Sequence, residues 1–137
     1  MTVRTFSVIP VAVLEYVTVE LTVPGKLVTV NTERAASRWA RHRLTKQWRQ
    51  AAHWSAKAAK LPELDWAWIT VQPSQARGVL ADTGNHYPSV KAMIDGLVDF
   101  GMLLDDGPKF VKALTCMPPR RGPDGIAVTL IGPARRR

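Results

Sequence analysis

Asp82, Asp95, Asp99, Asp105 and Asp106 fall within one short stretch of a 137-residue chain whose formal net charge is +8, and Lys91 is the only lysine or arginine among them. Crowded carboxylates repel one another unless a cation fills the space between them, and a divalent metal does so through the hard oxygen donors they offer. A positive surface around such a site would hold a phosphate backbone against the metal, where a polarised phosphoryl oxygen and an activated water lead to phosphodiester hydrolysis. Metal-dependent nuclease chemistry is what these residue types suit. Mg²⁺ keeps several waters and needs only one or two protein carboxylates, so Asp82 with Asp106 would suffice. Lys91 would then stabilise charge developing on the phosphate or position the attacking water. A plainer reading makes Asp105-Asp106-Gly107-Pro108 a surface turn and Asp95 and Asp99 a solvated helix face.

The elements that must position these side chains follow from periodicity. Pro88 opens a helix with an apolar stripe of Val90, Met93, Ile94, Leu97 and Val98, and Gly101 stops it. Lys91, Asp95 and Asp99 then follow at i, i+4 and i+8 on one polar face. Asp82 and Asn85 precede this helix and Asp105-Asp106 follow it. About 13 helical residues span ~20 Å. Either the Asp105-Asp106 turn folds back along the helix, or a neighbouring strand carries it beside Asp82. Upstream, Val17 to Val23 alternates as a half-buried strand ended by Pro24-Gly25, and residues 33–60 read as one long amphipathic helix closed by Pro62. Ala36, Ala40, Leu44, Trp48, Ala51, Trp54 and Ala58 form its apolar arc, which places Trp48 and Trp54 in the core or a subunit interface. Residues 65–71 suit a second strand. Residues 110–117 and 126–131 suit two last strands in a hairpin around Arg120, Arg121 and the Asp124-Gly125 turn. Residues 1–14 offer an extra strand or an extension, and 132–137 a disordered basic tail. The expected fold is α+β: one domain over 1–137, a two-layer sandwich with a mixed sheet and both helices on one face.

Composition narrows the partners. Hydrophobic residues make up 46% and charged residues 22%, which is enough for a core without staples. Cys116 is the only cysteine, so no intramolecular disulfide forms, which fits a reducing, cytoplasmic setting. No apolar run approaches the ~20 residues of a membrane span, and nothing points to an organic cofactor. A pI near 10.3 calls for an acidic partner, of which nucleic acid is the commonest, with an anionic membrane surface as runner-up. Arg34, Arg38, Arg41, Lys46 and Arg49 recur along one side of the first helix and could track a phosphate backbone, with Arg120 and Arg121 reaching DNA from the hairpin loop. Trp39 lies at the arc's boundary, suited to packing or to stacking on a splayed base.

Three blocks in register carry a more specific signal. Asp82-Thr83-Gly84-Asn85, then Lys91-Ala92-Met93-Ile94-Asp95-Gly96-Leu97, then Gly101-Met102-Leu103-Leu104-Asp105-Asp106 resemble the RusA family of Holliday-junction resolvases, whose pattern runs D-x-D-N, K-A-x-x-D-x-L, G-x-x-x-D-D. The resemblance is sharpest over residues 82–106. It implies a homodimeric, Mg²⁺-dependent endodeoxyribonuclease, with Mn²⁺ as a possible substitute, that resolves four-way DNA junctions by paired symmetric nicks in recombination and repair. Such enzymes are frequent in bacteriophages and prophages. Carried over by position, Asp82, Lys91 and Asp106 are functional, Asp105 and Asp95 match further motif positions, and Asp82, Asp106 and Asp105 would bind metal. Gly84 stands where the family has its second aspartate, and five residues rather than two separate Asn85 from Lys91. A junction-binding protein with impaired cleavage is the alternative.

Overall fold

The structure is a computed structural model that describes residues 15–136, so the extra strand expected within 1–14 lies outside the described residues. It is α+β, with a mixed sheet and three helices: β1 Tyr16–Pro24, α1 Val30–Ala35, α2 Arg38–Ala59, β2 Ala67–Gln75, α3 Tyr87–Phe100, β3 Val111–Cys116, β4 Arg120–Arg121 and β5 Gly125–Pro133. The main path across the sheet is β1-β5-β2-β3. Alternation places Val19 and Val23 of β1 in the core, with Thr18, Glu20 and Thr22 outward.

The last two strands do not form the expected hairpin. β5 inserts between β1 and β2, antiparallel to both, in registers that include Leu21↔Val128 and Val71↔Val128. β3 lies on the far side of β2 and runs parallel to it. Burial explains the exchange. Ile126, Val128 and Leu130 of β5 are fully buried, as a central strand requires, whereas Val111, Leu114 and Cys116 of β3 are only partly covered. Pro118 and Pro119 cannot donate to a ladder, so β3 ends before them, and Arg120–Arg121 resumes beside Ser74 and Gln75 of β2. The parallel β2 and β3 are joined through α3, the kind of crossover that parallel pairing demands.

The helix expected over 33–60 is two helices. The Thr29 hydroxyl caps α1 by accepting from the Thr32 N–H (3.1 Å), and the Ser37 hydroxyl caps α2 by accepting from the Ala40 N–H (3.1 Å). Ser37 offers the backbone this alternative bond and so breaks the continuous helix. On α2 the buried residues are Trp48, Ala52 and Ala56. Trp54, expected in the core or an interface, is instead 59% exposed. The contact line follows the i, i+4 row from Trp48 through the small alanines, and this turns Trp54 outward. The expected basic tail is also anchored: β5 runs to Pro133, and Arg135 bonds the Glu63 carboxylate (3.2 Å) and carbonyl (2.8 Å).

α3 agrees with its expected bounds, and Gly101 ends it at φ +98°, where only glycine is unstrained. Its Val90, Met93, Ile94 and Leu97 join Trp48, Ala52 and Ala56 and the inward residues of β1, β2 and β5 in one hydrophobic cluster. α2 and α3 come closest at Gly96. A Cβ there would lie 2.7 Å from the Ala52 Cβ and would overlap the Arg49 carbonyl. Beside this contact the Arg49 guanidinium grips both oxygens of Asp99, at 2.8 and 2.9 Å. Gly96→Val should therefore force the helices apart and lower unfolding free energy by roughly 2–3 kcal/mol or more, the cost of overpacking a close contact, as read from urea denaturation. Wild-type stability in that variant would show that the contact relaxes freely.

Candidate active site

Three side chains meet on the polar face of α3, two from the helix and one from the turn beyond it. The Lys91 ammonium donates to Asp95 Oδ1 (2.6 Å) and to Asp106 Oδ2. Lys91 and Asp95 are one helical turn apart, so their meeting is local. Asp106 arrives by a chain reversal. After Gly101, the Met102 N–H bonds the Leu97 carbonyl (3.1 Å), and the Met102 carbonyl accepts from the Leu64 N–H (2.8 Å). Met102 and Leu103 are completely buried, which pins the turn to the core while Leu104 stays exposed. The Asp105-Asp106 segment thus folds back along α3, the first of the two routes open to the sequence. Asp105 is exposed, and its Oδ1 accepts the Asp106 N–H at 2.8 Å, which orients the turn.

The electrostatics follow from these bonds. The hydrogen bond from Lys91 holds the Asp106 carboxyl below the usual carboxylate range despite partial desolvation. Burial by itself would lower the Lys91 pKa, but the bonds to Asp106 and Asp95 outweigh it, and the ammonium titrates above an ordinary lysine. At neutral pH Lys91 is therefore held as an ammonium against the Asp106 carboxylate.

The N-terminal end of α3 is fixed differently. The Val28 N–H donates to the buried Ser89 hydroxyl (2.8 Å), and the Val30 N–H to the Asn85 carbonyl (3.0 Å), which ties this end to the segment entering α1. Asp82 lies on the preceding turn, exposed, its carbonyl accepting from the Asn85 N–H at 3.0 Å. The structure does not bring its carboxylate into a bond with Lys91, Asp105 or Asp106. Gly84 sits in that turn at φ +82°, a left-handed conformation that glycine adopts without strain, and here it leaves the position without a side chain. His86 is only 3% exposed, packed inward rather than presented to solvent, and burial pushes its imidazole below the usual value against a smaller opposite effect of the Val28 backbone. Among the described residues no group of three or more His, Cys, Asp or Glu side chains is arranged to hold a metal ion. The oxygen donors nearest one another around a cation are those of Asp95 and Asp106.

Beside Lys91 and Asp95 runs a groove of about 340 Å³ that also involves Glu33, Arg34, Thr45 and Tyr87. Glu33, Thr45 and Tyr87 carried no motif and were not singled out from the sequence. Glu33 comes from α1, which the Ser37 break separates from α2, while Thr45 lies on α2 and Tyr87 opens α3. The row of basic residues is partly committed. Arg34, Arg38, Arg41 and Lys46 are exposed. Arg49 is held by Asp99, and this pairing raises the Arg49 pKa and lowers that of Asp99. Arg120 is exposed on β4, while the Arg121 guanidinium donates to the Gly78 carbonyl at 2.7 Å. No helix among the described residues is long and apolar enough to cross a membrane. Compared with protein-family models and with curated protein sequences, the chain gives no match.

The pair should show in the pH dependence of stability. The Asp106 contribution is present above the carboxylate's unfolded pKa and is lost as pH falls through its depressed folded value. The Lys91 contribution is present below the unfolded lysine pKa and is lost as pH rises through its raised folded value. Asp106→Asn should therefore be less stable than wild type at neutral pH, and the two should converge in acid, as denaturation at several pH values would read. The Lys91 pKa, followed by NMR of its ε-methylene, should fall towards an ordinary lysine in that variant. An unmoved Lys91 would mean that the pair is not formed in solution.

Proposed function

We propose that this chain is a RusA-like endodeoxyribonuclease that nicks branched DNA, four-way junctions above all, with Mg²⁺. The observation that carries the reading is the Lys91–Asp95–Asp106 set: the lysine and aspartate of the K-A-x-x-D block and the last aspartate of the D-D block converge on one point. A solvated helix face and an unrelated turn have no reason to meet there. The donor chemistry fits a hard divalent ion, since two carboxylates already share one cation and Asp105 and Asp82 lie on the flanking turns. When bound, Mg²⁺ supplies charge neutralisation at the phosphate and an activated water. In this reading Asp106, with Asp82 and Asp105, holds the ion. Asp95 keeps Lys91 in place, and Lys91 stabilises the negative charge that builds on the phosphate oxygens as the P–O bond breaks. Arg34 at the groove's edge, with Arg38, Arg41 and Lys46 beyond it, positions the backbone without reading sequence.

The proposed working form is a cytoplasmic C₂ dimer of two-layer sandwiches, because a symmetric junction requires two equivalent cuts and an isologous pair presents two equivalent sites. One observation favours a second reading. Gly84 provides no carboxylate where the resembling family has one, which suits a protein that binds junctions and cuts them poorly.

Both readings are separated by a labelled four-way junction with a mobile core, incubated with Mg²⁺ or with EDTA beside a matched duplex. Paired nicks that require Mg²⁺ and spare the duplex are expected from wild type. Lys91→Ala and Asp106→Asn should each slow nicking by roughly a hundredfold or more, the usual effect of removing charge stabilisation at a reacting centre, while junction binding in EDTA persists. Cleavage unchanged in Asp106→Asn would sink the assignment. Tight junction binding by wild type without nicks in Mg²⁺ or Mn²⁺ would favour the second reading.

A further inference from the structure

On the other side of Thr45 from the Lys91 groove lies a second groove, of about 530 Å³, between α2 and the end of α3. We infer that it takes an unpaired DNA base, stacked on Trp54, from a strand whose phosphate lies at Lys91. The inference rests on the nuclease reading and adds to it a means of selecting branched over continuous DNA.

Trp54 is 59% exposed on a helix whose buried residues are Trp48, Ala52 and Ala56, so its indole presents an open surface among the described residues. It is not loose. The His53 ring packs edge-on against it at 5.4 Å, and His53 packs in turn on Phe100 at 5.9 Å, which links the indole to the end of α3. An aromatic plate held by an aromatic ladder is a stacking platform, and any base can use it because every base has a π-face. The lysines suit a nucleotide. Lys46 lines the groove, and the Lys57 ammonium lies over one face of the Trp54 ring, 4.9 Å from its centre. Asp99 is the only carboxylate in the lining among the described residues, and Arg49 neutralises it through two bonds. A second copy of the chain is a poorer occupant, because two such basic faces would meet like charge to like charge.

The spacing places the groove near the proposed cut. Asp99 follows Lys91 by two helical turns, or roughly 12 Å along α3. At 3.4 Å or more per nucleotide, that is roughly two to four nucleotides of one strand. In a continuous duplex the bases at that distance are stacked and cannot reach Trp54. At a branch point one base can turn out, so the platform would be used only by branched or single-stranded DNA.

The test measures binding in EDTA of a four-way junction, a matched duplex and oligothymidylate to wild type, Trp54→Ala and Trp54→Phe, with sedimentation of each protein. Trp54→Ala should bind the junction and oligothymidylate roughly tenfold more weakly, as loss of one stacked base does, with duplex affinity and oligomeric state unchanged. Trp54→Phe should keep most of the affinity, and 2-aminopurine placed beside the branch should lose its quenching only in Trp54→Ala. Equal binding of all three DNAs by wild type and Trp54→Ala, in a protein that still nicks junctions, would overturn this inference and leave the nuclease reading intact. A changed oligomeric state in Trp54→Ala would make the groove a subunit contact and overturn it as well. A wild-type protein that binds none of the DNAs would remove both.

Discussion

Gly96 sets the distance between α2 and α3, and the polar face of α3 is usable only at that distance. With no side chain at Gly96, the Ala52 methyl and the Arg49 backbone rest directly against α3. Arg49 can then reach Asp99, and Thr45 comes close enough to border the grooves on both sides. The same packing buries the Val90, Met93, Ile94 and Leu97 stripe, which fixes the rotation of α3 and points Lys91 and Asp95 to the surface. The fold and the candidate site are therefore set by one contact. A glycine in mid-helix costs about 1 kcal/mol in propensity relative to alanine, and here the interhelical packing it permits offsets that cost.

Much of this was legible along the chain. β1 alternates cleanly, α3 carries a proline near its start and a glycine at its stop, and both lie where periodicity places them. The Lys91–Asp95 pairing was also legible, because an i, i+4 pair is a local matter, whereas the route that brings Asp106 back to them was not, since it depends on Met102 and Leu103 being buried. What could not be read was decided by competition between distant segments. β3 and β5 both carry β-branched residues, and only the greater apolar content of β5 on one face, together with the Pro118-Pro119 break, gives it the central place. Nothing local distinguishes a hairpin from two strands on opposite sides of β2.

The tryptophans and arginines show the same limit on a smaller scale. Trp48 and Trp54 are both compatible with an apolar arc, but the approach to α3 selects the row through Ala52 and Ala56, and the Trp48 indole finds the Lys26 carbonyl at 2.9 Å. Arg49 looks like its neighbours Arg38 and Arg41 until Asp99 arrives from another helix. Ser37 stands among good helix formers, Ala35, Ala36 and Arg38, so only the bond its hydroxyl accepts from the Ala40 N–H reveals the break.

The central place of β5 has a consequence for how the molecule is made. β1 is paired over its whole length with β5, Tyr16 with Pro133 and Pro24 with Gly125, so its partner lies far along the chain. Until β5 docks, β1 has no neighbour in the sheet among the described residues, and the inner edge of β2 is open. Contacts of such large sequence separation are slow to form because the loop must close before any pairing rewards it. The helices α2 and α3, the parallel β2–β3 unit and the Lys91–Asp106 turn can assemble before β5 docks. During that interval the inner edges of β1 and β2 are exposed together, which is when the folding chain is most open to aggregation.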